Sequence, residues 1–281
     1  MIMSEKLRFL TISLFLYFCV GCVVNPLTGE EEFMLMGEQQ DIAIGMQYAP
    51  EIEKQMGGKI ASPTLQNYVN TVGLKVARVS HRRSWDYRFV ALNNDSVNAF
   101  ALPAGYIFIT RGMLKQLTTE SQLASILAHE TAHVVARDTA VMISREIGIG
   151  ALLSAANSKS SSRSVRTAAG MARQIMGFSF SRRDERDADR AGMDYMVRAG
   201  YDPNGMIETM QMLDSQQKER PIEFFSTHPN PENRVAYLKA RLQSRYRNRQ
   251  GLKTGKEDFS KFVLSQLKKK RYPGPSSKPS P

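Results

Sequence analysis

Cysteine is almost absent from this 281-residue chain: there are two, Cys19 and Cys22, and nothing after residue 22 can form an internal disulfide. Stability downstream must come from packing and from bound metal. An apolar run of about 20 residues, enough to cross a bilayer, is also missing. The nearest, Phe9 to Val20, is shorter and follows the basic Lys6 and Arg8, which is the form of a secretory signal. Acidic residues are scarce at the end of the chain. Residues 241–281 hold twelve Lys or Arg against two acids, so they account for +10 of the net +11 and residues 22–240 are near neutral. A body without a basic face argues against nucleic acid as a partner. At 42% apolar residues the chain has the means for an ordinary globular core.

The apolar run ends in Cys19-Val20-Gly21-Cys22, which resembles the bacterial lipobox. The resemblance implies a signal peptide over residues 1–21 and a lipid on Cys22, which becomes the mature N-terminus. Several acyl chains on one residue anchor stably. Val23, rather than Asp, after that cysteine implies the periplasmic face of the outer membrane of a bacterial envelope.

Residues 22–36, with Asn25-Pro26 and Thr28-Gly29, read as a tether. From Gly37 the apolar spacing becomes helical, and a second helix follows Pro63 with Leu65, Val69, Val72 and Val76 on one face. Tyr87–Leu92 has strand chemistry. Two further extended segments, near Ala99–Leu102 and Tyr106–Thr110, flank Pro103-Ala104-Gly105. Helices are expected over Ser121–Arg137, from Ser181 to the Gly200-Tyr201-Asp202-Pro203 stop, and over Val235–Leu242. Asn157–Ser164 reads as a mobile surface loop. Residues 246–281 form a basic tail with one short amphipathic helix, bearing Phe259, Phe262, Val263 and Leu267 on one face, and a disordered end. That face either docks onto the domain, the reading slightly favoured, or rests on anionic lipid or an acidic partner.

His129-Glu130-Thr131-Ala132-His133 is an HExxH pattern inside an apolar, helix-compatible segment. Residues four apart share a helix face, so both imidazoles reach one ion, and Glu130 lies near enough to act as general base. Catalytic zinc requires a third protein ligand, and no histidine follows His133 closely. The best candidate lies in the charged stretch Ser181-Arg182-Arg183-Asp184-Glu185-Arg186-Asp187-Ala188-Asp189. His81, between Ser80 and two arginines, reads as a surface residue.

With that stretch the chain resembles the Ste24/HtpX-type zinc metallopeptidases, the M48 family, in which an ExxxD helix supplies a ligand glutamate. Glu185 and Asp189 match its two positions. The resemblance implies zinc on His129, His133 and Glu185, with Asp189 accepting a ring N–H from a ligand histidine. Asn98-Ala99-Phe100, opening the segment that runs to Gly112, is similar to the family's substrate-binding edge strand. Ser226-Thr227-His228-Pro229 is similar to its late STHP motif, with Arg234 at the following Arg. Both enter as candidate catalytic residues; His228 either stabilises an oxyanion or fills the fourth zinc position at rest. The fold implied is α+β and zincin-like, mainly helical with a small, mostly antiparallel sheet, in a domain over residues 37–245. The function implied is endopeptidase action, with one zinc ion, on unfolded or misassembled envelope proteins. A non-hydrolytic zinc lipoprotein and a hydrolase of cell-wall peptides are the rivals.

Overall fold

The computed structural model describes residues 22–156, 168–248 and 250–269. The signal segment, the Ser-rich Asn157–Ser164 stretch and the Pro/Ser end lie outside the described residues.

Residues 22–36 are not a loose tether. β1 (Cys22–Val24) pairs antiparallel with β2 (Glu31–Phe33), matching Cys22 with Phe33 and Val24 with Glu31. Alternation then continues past the hairpin: Met34 and Met36 are buried while Phe33 and Leu35 are exposed. This period-two pattern gives the segment an inner face to bury, which a tether would lack. Arg137 secures it, donating to Met36 O at 2.8 Å and to Asp41 Oδ2 at 2.6 Å.

Two helices follow, α1 (Glu38–Gln55) and α2 (Pro63–Ala77). Ser62 caps α2 and Pro63 occupies its first position, where a missing N–H costs nothing. Leu65, Val69, Val72 and Val76 are all buried, as their spacing requires. β3 (Arg88–Leu92), β4 (Ala99–Ala101) and β5 (Tyr106–Thr110) form one sheet in the order β3-β5-β4. β4 and β5 are antiparallel, as are β1 and β2, whereas β3 and β5 are parallel. β4 is therefore an edge strand, with one side open for pairing.

After the short α3 (Arg111–Gln116) comes α4 (Glu120–Ala136), in which every residue is buried. It is buried on every face, as a central core helix should be; its polar residues outside HExxH, Glu120, Ser121, Gln122 and Ser125, are each hydrogen-bonded. Thr119 caps its start, and Arg137 ends it in the left-handed region at φ 63°. α5 (Asp138–Ala156), α6 (Ala168–Met176), α7 (Arg182–Arg198), α8 (Asn204–Glu219), α9 (Phe224–Thr227) and α10 (Arg234–Arg245) complete the body. Gly192 lets α7 lie against α4: a Cβ there would sit 3.2 Å from the backbone of Ala128 and His129. This close approach sets the ExxxD helix beside the HExxH helix.

The last segment, α11 (Lys256–Phe259), runs through a π turn at Ser260–Leu264 into α12 (Ser265–Lys269). Phe259 and Val263 are fully buried, and the Phe262 ring stacks on Tyr68 at 5.2 Å. The apolar face of the tail docks onto the domain.

Candidate metal centre

α4 projects His129 and His133 to one side, and α7 brings Glu185 opposite them. The Nε2 atoms of the two histidines are 3.1 Å apart. Glu185 Oε2 is 3.3 Å from His129 Nε2, and Oε1 is 3.4 Å from His133 Nε2. Beyond the end of α9, His228 adds Nδ1 at 3.3 Å from His129 Nε2 and 2.9 Å from Glu185 Oε1. All four residues are buried, and their donor atoms lie within 4.8 Å of one another.

These donors fit zinc. A tetrahedron with bonds of about 2.0–2.1 Å has edges of about 3.4 Å, and the five separations above, 2.9–3.4 Å, lie at or a little under that edge. Three imidazole nitrogens and one carboxylate are also the donor types that zinc takes. Glu130 lies against the cluster, 3.6 Å from His228 Nε2, and neither of its buried carboxylate oxygens has a hydrogen-bond partner among the described residues.

The groups behind the cluster fix the ligands. His129 Nδ1 donates to Asp189 Oδ1 at 3.0 Å, and His133 Nδ1 donates to Asp138 Oδ2 at 2.7 Å, which leaves each Nε2 facing the metal position. Burial pushes the Asp138 carboxyl up to about 6, with His133 pulling it the other way. Burial also favours a neutral Asp189, but Arg234 and His129 outweigh it and hold that carboxyl below its ordinary range. Glu185 is likewise opposed by burial and held well below its ordinary range by His228, His129 and His133. Both α7 carboxylates thus remain anionic.

Arg234 stands behind these carboxylates rather than among the reacting groups. Its guanidinium is engaged with Asp189 at 2.8 and 2.6 Å and lies 3.3 Å from Glu185 Oε2. Tyr237 also donates to Asp189. Asp138, Tyr237 and two flanking rings were not visible as site residues in the sequence: Phe180 stacks on His133 at 4.0 Å and Phe224 on His228 at 4.5 Å. His81 is exposed and bonds Tyr195 OH through Nδ1 at 2.6 Å, away from the cluster.

Asn98, Ala99 and Phe100 lie at and before the start of β4, and all three are buried. Between Phe100–Leu102 and the covering residues Ile175, Met176, Phe178 and Phe180 there remains a cavity of about 10 Å³, reaching Thr227 and His228. That is room for about one water, so in this conformation the open edge of β4 is covered by the end of α6 and the residues after it.

Residues 63–242 match the sequence profile of peptidase family M48. The chain is 30% identical over 214 residues to the beta-barrel assembly-enhancing protease of Escherichia coli strain K12, covering 71% of this chain and 44% of that protein. It is 30% identical over 176 residues to the mitochondrial metalloendopeptidase OMA1 of Schizosaccharomyces pombe, covering 60% of this chain and 50% of the relative. The Arabidopsis thaliana OMA1 is 29% identical over 188 residues, with 65% and 38% covered. The aligned region thus amounts to half or less of the length of each of these relatives. The profile match takes in α2 to most of α10, and with it every donor of the cluster, so the chain belongs to peptidase family M48, the zinc metallopeptidases.

Proposed function

We propose that this chain is a zinc-dependent endopeptidase, held at a bacterial envelope membrane by a lipid on Cys22, that cleaves exposed segments of misfolded or unassembled envelope proteins. The observation that carries this reading is the buried Glu130 carboxylate, without a hydrogen bond among the described residues, beside the four convergent donors. A structural zinc has no use for a base at that position.

In this reading His129, His133 and Glu185 hold the zinc, which when bound polarises the scissile carbonyl and makes water more acidic. Glu130 takes the proton from the attacking water and returns one to the leaving amine. Asp189 and Asp138 keep the imidazoles in one tautomer, and Arg234 holds the α7 carboxylates in place. His228, set beside the three ligand candidates in this conformation, would either complete the donor set at rest or stabilise an oxyanion. Once uncovered, the outer edge of β4 at Ala99 and Phe100 offers main-chain bonding to an extended peptide, a mode that tolerates many sequences, while Asn98 ties the start of the strand to Thr110 through its own N–H and C=O. The name of the bacterial relative supports an envelope setting, and the lipobox-like segment and exposed Cys22 support the anchor. Among the described residues no helix is long and apolar enough to cross a membrane.

The test is casein cleavage by the purified protein, wild type against Glu130→Gln, with zinc quantified in each. One zinc in both and cleavage only by wild type is the expected result. Zinc in both and cleavage by neither, persisting in His228→Ala, would turn the reading toward a binding protein; absence of zinc from both would remove the ligand assignment.

A further inference from the structure

On the outer side of α7, away from the metal donors, lies an open groove of about 790 Å³. Its walls carry six arginines: Arg182, Arg183, Arg186 and Arg190 from α7, and Arg241 and Arg245 from α10. Spacings of three and four set Arg182, Arg186 and Arg190, with Arg183, along one side of α7, and Arg241 and Arg245 along one side of α10. Three carboxylates share it, and each is already engaged. Glu30 pairs with Arg183, Asp187 with Arg190 at 3.3 Å, and Asp194 with Arg241 at 2.8 Å and Arg245 at 3.8 Å. Arg182 leans outward to Glu232 at 3.8 Å.

Arg186 is left over. It stands between these pairs, and among the described residues it has neither an ion-pair nor a hydrogen-bond partner; its Nε is sealed from solvent without an acceptor. The surplus of three positive charges, six arginines against three carboxylates, makes an anion the complementary guest of the groove, reached through the terminal nitrogens of Arg186 rather than its sealed Nε. Guanidinium presents a planar fork suited to two oxygens of one anion, the geometry of phosphate recognition. The volume exceeds that of a bare phosphate and lies in the range of small-molecule sites.

We infer that this groove binds a phosphate group, with Arg186 making the forked contact and the flanking arginines holding the remaining charge. Two sources share this chemistry: a free phosphate compound and the headgroup of an anionic phospholipid. The groove's rim favours the lipid. Leu27, Thr28 and Glu30 form that rim, and they belong to the hairpin whose first residue is the exposed Cys22. At about 3.3 Å per strand residue, the rim is on the order of 15 Å from Cys22. A lipid on Cys22 therefore sets the groove near the headgroup layer. The lipid source rests on the proposed anchor; the phosphate chemistry does not.

The test uses the full chain and two probes at matched ionic strength: inorganic pyrophosphate, and phosphatidylcholine vesicles with and without phosphatidylglycerol. Binding is read by calorimetry for the first and by co-sedimentation for the second. Wild type, Arg186→Gln, Arg186→Lys and a tail control, Lys268→Gln/Lys269→Gln, are compared. Among the described residues Arg186 has no partner to lose, so its variants should melt at or above the wild-type temperature. At least tenfold weaker binding of either probe by Arg186→Gln, intermediate weakening by Arg186→Lys and none by the tail control supports the site. An effect confined to phosphatidylglycerol vesicles assigns the lipid source, and one on pyrophosphate alone assigns the free compound. Equal binding by wild type and Arg186→Gln, or weakening seen only in the tail control, overturns the inference. Loss of casein cleavage in Glu130→Gln bears on the metal centre alone, so the two readings fail separately.

Discussion

Asp138 shows how a single residue outside the donor set can govern it. Its carboxylate accepts from His133 Nδ1 at 2.7 Å and so fixes which nitrogen of that ring faces the metal. Asp138→Asn keeps the shape but can present an N–H to the ring; zinc affinity should fall about 10–100-fold, measured by competition with a chelator, with little change in secondary structure. Glu120 governs stability instead. At the first turn of α4 it accepts from Tyr68 at 2.6 Å, Tyr201 at 2.7 Å and Lys253 at 2.7 Å. Burial pushes its carboxyl up, but these three bonds together hold it below the ordinary glutamate range. The folded state therefore binds that proton less readily than the unfolded chain. Its stabilisation is complete above the ordinary glutamate range and is lost as pH falls through and below it. Glu120→Gln should cost about 1.5–3 kcal/mol at neutral pH, and its melting temperature should fall less than that of wild type on acidification.

At the scale of elements, two pieces outside the catalytic helices carry separable loads. The α11–α12 segment lies beyond the matched profile, yet buries Phe259 and Val263 in the main core and ties Lys253 to both Glu120 and Asp258 at 2.7 Å. Phe259→Ala should lower stability by about 3–5 kcal/mol while leaving one zinc per chain, read by thermal melting and metal analysis. The end of α6 does the opposite kind of work, since Phe178 and its neighbours cover the edge of β4. Phe178 is half-buried, so removing its ring should weaken the cover by about 1.4 kcal/mol, a tenfold shift toward an open edge. Phe178→Ser is expected to cleave casein faster at unchanged zinc content; slower cleavage would mean that the ring serves substrate rather than cover.

At the scale of the whole molecule, what the sequence revealed follows the range of each interaction. HExxH is a spacing within one helix turn, so His129 and His133 could be read directly. So could the strands Tyr106–Thr110 and Arg88–Leu92, whose apolar residues bound the core. Glu185 and Asp189, by contrast, stood in a charged run and were legible only through the resemblance to the family's ExxxD helix. The parallel pairing of β3 with β5 was not legible, because register between strands separated by a turn and another strand is a tertiary choice. Asp138 was hidden by the left-handed Arg137, which turns the chain back toward the cluster. The arginine groove was hidden more deeply: Arg182–Arg190 looks like a solvated charge run until α10 brings Arg241 and Arg245 beside it. The hairpin was not legible because the turn residues of 25–29 outweigh the alternation of Phe33 to Met36.

The same long-range assembly makes the metal part of the fold's stability. With no cation present, the fold buries Glu130 and Glu185 among three imidazoles, and among the described residues Arg234 is the guanidinium in contact with the cluster. Such burial of charge is costly, and no disulfide compensates after residue 22. Zinc at 1,000 times its dissociation constant adds about 4 kcal/mol, so complete chelation should lower the melting temperature by several degrees. Glu130→Gln replaces the unpartnered carboxylate with a neutral amide of the same shape. Its metal-free form should therefore melt higher than metal-free wild type, and its loss on chelation should be smaller. Calorimetric melting of both proteins before and after chelation measures this; an unchanged melting temperature after verified zinc removal would show that the cluster's charges are balanced without metal.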